Sequence, residues 1–435
     1  MTNQRDAHQV LIAGGGVAAL EAVMALHELA GARVRVTLLA AEPDFVLKPL
    51  SVGEPFSVDH VRRYPLRDVA SEYGAELRLG ALRTVAPADG KAITATGVEY
   101  SYEYLLVAVG GQPYPAYGRV LTFGTDGDPF ALNGVLADLE EGYTKSVAFI
   151  VPPGVTWPLP LYELALMTAR EVRSMGIEDA RLTIVTPEAS PVAVFGPEAS
   201  RSVADLLTAA GIEVIAGAYA EVDPAGRIHL TPGGRTLAPE RIVALPLIAG
   251  PALAGLPRDQ DGFIPIDAHG RVLGLENVYA AGDGANFPIK QGGLATQQAD
   301  AAAEHLASRI GASVDPQPFR PVLRGKLMTG ERHRERFLRA AVAGGGGQGA
   351  ASDEPLWWPP TKVSGRYLSA WLARQEAGPA LTPPPGPGLE VEVSLPVDRE
   401  QAARAALALD PLGPLPPRPF GYVPGPRPPQ DRSGS

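Results

Sequence analysis

There is no cysteine among the 435 residues of this chain. That absence excludes disulfides, thiolate metal sites and any redox dithiol, and with them a covalent relay through a protein sulfur. It leaves the compartment undetermined, since a cysteine-free chain survives in any. A surplus of positive charge is missing too: 38 Lys and Arg stand against 48 Asp and Glu, a net charge of −10, which repels nucleic acid and anionic lipid in general. No partnership with nucleic acid is therefore expected. No uninterrupted apolar stretch approaches the roughly 20 residues a membrane helix needs, because Glu21 interrupts the most hydrophobic helix candidate. The opening MTNQRDAHQVLIAGGG lacks a basic region followed by an apolar core and a small-residue cleavage site, so the expectation is a cytoplasmic protein. Peripheral membrane contact and a homodimer stay open. The seven histidines show no HExxH or paired-ligand spacing, and no metal site is expected.

What is present is ample apolar material, 45% hydrophobic against 20% charged, enough for two to three domains. Residues 9–13 form an apolar run, followed by three glycines and a helical pattern carrying Leu20, Val23, Met24 and Leu26, then a second strand at 34–39. Strand, helix and strand make one right-handed crossover unit of a parallel sheet. Between 77 and 109 short strands alternate with turns, and Asp89-Gly90 marks a hairpin. A second α/β block opens with a strand at 146–151, a helix near 160–174, a strand at 181–186, a helix near 197–210 and a strand at 212–216. The chain returns through strand-like 240–248 and 263–266 to VYAAGD at 278–283 and an Ala-rich helix over about 293–310. Residues 344–352 read as a flexible glycine-rich connector, 356–374 as an aromatic-rich unit, and the Pro-rich residues 379–435 as largely disordered apart from a strand candidate at 389–395.

Two signatures carry chemistry. Gly14-Gly15-Gly16-Val17-Ala18-Ala19 is G-x-G-x-x-A directly after a strand and opening a helix. The first glycine permits the tight turn, Gly16 lets a pyrophosphate approach the backbone, and Ala19 allows close packing, while the helix N-terminal amides hold the negative charge. The acid that grips an adenosine ribose at the end of the second strand is displaced to Glu42, which is equally read as a solvated loop residue. The second signature, at 278–283, ends in Gly282-Asp283: the aspartate can accept from a ribityl hydroxyl, and the glycine allows the cofactor chain close access. Lys290-Gln291-Gly292 then leads into the Ala-rich helix, whose N-terminus suits the negative charge that appears on a reduced flavin.

These residues, together with Phe45-Val46-Leu47-Lys48-Pro49-Leu50 and the Ala108-Val109-Gly110 turn, resemble the FAD-dependent pyridine nucleotide-disulfide oxidoreductases with two dinucleotide domains. Within them the resemblance is to the branch of type II NADH:quinone dehydrogenases and sulfide:quinone oxidoreductases, over roughly residues 8–375. It implies an α/β fold with two Rossmann-like domains and a small C-terminal domain. The implied boundaries are 1–115 with 250–312 for a split FAD domain, 116–249 for a second Rossmann-like domain, 313–378 for a C-terminal interface domain and 379–435 for the tail. It further implies that Lys48 and Pro49 lie against FAD, and that residues 107–110 close its adenosine side.

The second domain departs from that pattern. A nicotinamide site wants another G-x-G-x-x-G after strand 146–151, but the chain runs instead into Pro152-Pro153-Gly154-Val155-Thr156-Trp157-Pro158. NAD(P)H stays open as a substrate only without that fingerprint, with Glu188 or another acid after strand 181–186 to grip it. Sulfide oxidation in the branch uses cysteine, and the nearest position here is Pro158. The expected function is transfer of two electrons from a small donor through FAD to a quinone or similar acceptor, with the flavin as the reactive group and Lys290 as the candidate catalytic side chain. The alternative is a binding or assembly module in which FAD is structural and the Pro-rich tail recruits partners. Trp357 and Trp358 are expected to pack one domain on another, and the basic run Arg332, His333, Arg334, Arg336 to form a solvated helix face.

Overall fold

The computed structural model describes residues 7–125, 131–331, 335–341 and 349–377. In chain order the elements that place the site are β1 (His8–Ala13), α1 (Val17–Ala30), β2 (Val34–Ala40), β3 (Glu76–Leu79), β4 (Tyr104–Val107), β5 (Leu121–Thr122) and β6 (Ser146–Ile150). After them come α2 (Leu159–Ser174), β7 (Arg181–Val185), α3 (Pro197–Ala209), β8 (Glu213–Ile215), β9 (Arg241–Ala244), β10 (Val278–Ala280) and α4 (Gly292–Arg309). A C-terminal unit completes the described chain, made of β11 (Val322–Leu327), β12 (Arg336–Ala341), β13 (Ala350–Ser352) and α5 (Leu368–Ala377).

Two five-stranded parallel sheets result, ordered β10-β4-β1-β2-β3 and β5-β9-β6-β7-β8. In each, the chain adds two strands on one side of a central strand, β2 and β3 beside β1 and β7 and β8 beside β6, and then crosses to the other side, to β4 and to β9. That reversal opens a crevice beyond the carboxyl ends of β1 and β4, and another beyond those of β6 and β9. The α/β class with two Rossmann-like sheets is borne out. The hairpin at Asp89-Gly90 also forms: residues Leu82–Ala86 pair antiparallel with Lys91–Thr94, and Gly90 takes φ +60°.

Small residues let α1 and α4 lie close together over the first sheet. Ala18, Ala19 and Ala22 share a buried cluster with Ala295, Ala299, Ala302 and Ala303, into which Leu20 and Leu26 are also fully buried. Each such leucine is worth about 2 kcal/mol in area removed from water. The C-terminal unit touches both cores. Leu323, Leu327 and Leu338 join the cluster of α2 and the second sheet, while Leu368, Trp371 and Leu372 join that of α1 and α4.

Three expectations need correction. Gly349 and β13 are not a flexible connector: β13 pairs with β12, and a Cβ on Gly349 would lie 1.6 Å from the Phe195 carbonyl oxygen, so this glycine serves close packing. Arg336 opens a strand rather than a helix face, because residues 336–341 pair one to one, antiparallel, with β11. Residues 263–266 form isolated bridges at Ile264 and Ile266 instead of a strand. The rest of the basic run, residues 342–348, the strand candidate at 389–395 and the Pro-rich tail lie outside the described residues.

Candidate functional site

The first junction is built from backbone alone. Gly14 donates to the Leu39 carbonyl at 2.8 Å and Ala108 donates to Ala13 at 2.7 Å, tying together the ends of β1, β2 and β4. Gly14 takes φ +139°, and a Cβ there would stand 2.1 Å from the Ala108 carbonyl oxygen, so no other residue fits. A Cβ on Gly15 would stand 2.9 Å from Leu66 Cδ1 and 3.1 Å from Ala40 Cβ, too close for ordinary contact. Gly16 is extended, and a Cβ on it would meet no protein atom within 4 Å. No side chain caps α1, so the amides of Val17, Ala18 and Ala19 open a helix whose positive end is left for an anion. Ala19 is fully buried, as close packing of α1 requires.

The second signature comes back beside the first. Gly282 takes φ +82°, a Cβ on it would sit 3.2 Å from the Cβ of Ala18, and its amide donates to Gln298 Oε1 at 2.7 Å. Gly284 approaches the Gly110 carbonyl oxygen, and Gly111 approaches that of Asp283, so the 108–111 and 282–284 turns are neighbours. Val109 is half-exposed at their edge. Burial raises the Asp283 carboxyl above its ordinary value, with Lys290 opposing. Gln298 was not singled out in the sequence; its only signal is a glutamine on an otherwise alanine-rich helix face.

A cleft of about 1240 Å³ brings together six of the expected residues: Lys48, Pro49, Asp283, Lys290, Gln291 and Gly292. Lys48 and Pro49 open a 3-10 segment running to Phe56, with Lys48 exposed at its start. Lys290 donates to the Ala285 carbonyl at 2.6 Å and stands 3.7 Å from the centre of the Phe263 ring. Burial pulls its ammonium down to about 8, against the opposing pull of Asp283, Asp259 and Asp261. Gln291 spends its side chain inside the protein, accepting from Leu294 N at 2.8 Å as the cap of α4 and donating to the Arg324 carbonyl at 3.2 Å. Gly292 is the first residue of α4. Glu42 is exposed on the loop after β2 and does not line the cleft; nor do Gly14–Ala19, 108–110 or Gly282.

Sequence reading missed a charged pair in the wall of the cleft. Glu163 of α2 is ion-paired with Lys362, 199 positions on, and their side chains are 1% and 9% exposed. Glu163 Oε1 also accepts from Met328 N at 2.8 Å, Lys362 donates to the Lys326 carbonyl at 2.9 Å, and Glu163 Oε2 is buried with no partner. Burial pushes the carboxyl up and the ammonium down, each resisted by the other, which brings their proton affinities together. The only signal in the sequence was a glutamate inside the apolar run Leu161, Tyr162, Leu164, Ala165.

Glu188 is not placed to grip a nucleotide. It is 2% exposed and saturated from within: Oε2 accepts from Tyr162 Oη at 2.5 Å and Thr186 Oγ1 at 3.1 Å, and Oε1 from Ala193 N at 3.0 Å. Tyr162 itself is fully buried, while its expected companion Trp157 packs on Phe195 at 5.6 Å. The tryptophan pair also divides: Trp357 is buried edge-on to Phe337 at 5.1 Å, as expected for packing, and Trp358 is 40% exposed. Among the described residues no group of three or more His, Asp or Glu side chains is arranged to hold a metal, and no helix is long and apolar enough to cross a membrane.

Comparison with known proteins bears on the fold that holds this cleft. The family described as pyridine nucleotide-disulphide oxidoreductase matches residues 164–305. An NADH dehydrogenase-like protein of Mycobacterium tuberculosis is 29% identical over 297 residues, covering 63% of this chain and 72% of the relative. The solved sulfide:quinone oxidoreductase of Aquifex aeolicus superposes with a TM-score of 0.70 at 20% identity, covering 80% of this chain and 87% of that one. The ferredoxin reductase of the CYP199A2 system of Rhodopseudomonas palustris does so with a TM-score of 0.57 at 21% identity, over 78% and 83%. The resemblance read from the motifs is borne out by the family match at residues 164–305, and the solved structures share the fold. A general oxidoreductase role is supported, without a specific donor or acceptor.

Proposed function

We propose that this chain is an FAD-dependent oxidoreductase that takes two electrons from a small donor and passes them to a quinone or similar acceptor, without a redox-active cysteine. The observation that carries the reading is the meeting of two turns that leave room for a cofactor chain. A Cβ on Gly14 would collide with the Ala108 carbonyl and one on Gly282 would crowd Ala18 at 3.2 Å, whereas Gly16 borders open space in which a cofactor chain would lie. The residues present fit FAD. The uncapped start of α1 would hold the pyrophosphate, Asp283 a ribityl hydroxyl, residues 108–110 the adenosine side, and Lys48, Pro49, Lys290 and the N-terminus of α4 the ring end. When bound, the flavin supplies the two-electron chemistry. The chain's own groups supply the rest: Lys290 sets the charge beside Asp283, and the Glu163–Lys362 pair holds a proton at the cleft wall for an acceptor that gains electrons. Glu42 contributes to the ribose only if its loop folds back.

The test is direct. Purified protein should be yellow, and anaerobic addition of NADH, NADPH, a hydroquinone or another organic donor should bleach it, with colour restored by a quinone. A colourless preparation that takes up no FAD, or a flavin that no donor bleaches, sinks the proposal.

A further inference from the structure

We infer that the crevice beyond the carboxyl ends of the second sheet receives a neutral, ring-bearing molecule with a hydrogen-bonding oxygen, and that this chain's own side chains close it to nicotinamide dinucleotides. This deepens the proposed function by naming the substrate class, and rests on that reading for the electron transfer that binding would serve.

A dinucleotide needs amides or cations for its pyrophosphate and a carboxylate for its ribose. At the β6–α2 junction Pro152, Pro153, Pro158 and Pro160 have no N–H to offer, and two of the remaining amides are used internally, Val155 N to Pro152 O and Leu161 N to Pro158 O. The described residues that line the cleft from this part of the chain, between 121 and 248, include no lysine and no arginine. Its cations, such as Lys48, Lys290 and Lys362, come from elsewhere. Glu188, at the position where the ribose carboxylate belongs, is consumed by Tyr162, Thr186 and Ala193. Two negative charges would find no lysine or arginine on the second sheet's side of the cleft.

What the crevice does offer is apolar and flat. Phe123, Pro153, Trp157, Pro187, Tyr219 and Leu245 line it. Tyr219 is set beside the Glu188 turn, because Gly217 N donates to Glu188 O at 2.7 Å and Ala218 N to Thr186 O at 3.0 Å. Its hydroxyl is buried without a protein partner. Buried hydroxyls are rarely left unpaired, and a ligand oxygen would complete this one.

The experiment titrates flavin-loaded protein with 2-naphthol, naphthalene and ADP-ribose, followed by tryptophan fluorescence and calorimetry. 2-Naphthol should bind saturably, and Tyr219→Phe should weaken it about three- to tenfold, the worth of one hydrogen bond, while changing naphthalene less than about twofold on the same scale. Trp157→Leu should weaken both ring probes alike, and ADP-ribose should give no saturable heat in any variant. The inference is overturned if 2-naphthol fails to bind, if it binds wild type and Tyr219→Phe equally, or if ADP-ribose binds in a way that Glu188→Gln abolishes. Failure of the oxidoreductase reading shows elsewhere, as colourless or unbleachable protein, and leaves the naphthol titration where it was.

Discussion

Between β1 and α1 the chain spends three residues, Gly14–Gly16; between β6 and α2 it spends eight, 151–158. Both junctions sit at the same place in the same topology, where the strand order reverses. The first is all glycine, pressed to 2.1 Å of a neighbouring carbonyl if given a Cβ, and it delivers a bare helix N-terminus. The second is rich in proline and delivers a helix whose N-cap is Pro158. A doubly wound sheet thus provides a crevice by topology, but the residues of one loop decide whether an anion can enter it. The two helices nonetheless share a device. Glu21 and Glu163, each the fifth residue of its helix, are fully buried and accept hydrogen bonds from the C-terminal unit. Glu21 takes Tyr367 N and Leu368 N at 2.8 and 2.7 Å, and Glu163 takes Met328 N and Lys362. The unit is pinned to both sheets by buried carboxylates.

The sharpest break of this comparison is Gly14→Ala. A methyl group cannot share space with the Ala108 carbonyl, so the expected outcome is a loss of about 4 kcal/mol or more and protein that retains no flavin, read by melting temperature and absorbance. Next in size, Lys290→Gln removes the ammonium beside Asp283. Flavin reduction should slow by about 100-fold or more, and an inflection near pH 8, expected for wild type because burial pulls this ammonium down to about 8, should be absent from the variant's rate profile. The second sheet is probed by Glu188→Gln. Burial raises this carboxyl to about 7, so the folded state holds a proton that the unfolded state gives up at lower pH. Its contribution is present below the ordinary carboxylate range and is lost as pH rises through about 7, by roughly 3 kcal/mol. Urea midpoints at stepped pH should fall across that window in wild type and stay flatter in the variant; an equal fall in both defeats the assignment. The smallest effect belongs to Gly154→Ala, which strains a backbone at φ +91° by about 1 kcal/mol but meets only Leu247 at 3.6 Å, and should leave flavin content unchanged.

The first sheet was readable because its signals are local. Glycines at 14 and 16, a strand before them and a helix after them lie within one short window, and the hairpin at Asp89-Gly90 needs only two residues. The proline-rich second junction was readable for the same reason. Glu188 misled because its position after β7 fits a ribose ligand, and nothing in the sequence tells that Tyr162, 26 residues earlier, is folded onto it. Gly349 misled because glycine marks both looseness and close approach, and only its distance to the Phe195 carbonyl separates the two. The Glu163–Lys362 pair spans 199 positions, and its one local sign, a glutamate inside an apolar run, does not say which residue partners it.

By itself the sequence determined the features set by chain-local sterics and by absence: an α/β chain, an all-glycine turn at 14–16, no such turn at 151–158, and no thiol chemistry. Tertiary structure decided which polar side chains face a ligand and which are already paired within the protein. Glu188 is satisfied by Tyr162, while Glu163 and Lys362 meet at the cleft wall. The reason is physical: a turn is fixed by the φ and ψ of adjacent residues, whereas the availability of a buried polar group depends on neighbours that only folding brings within hydrogen-bonding distance.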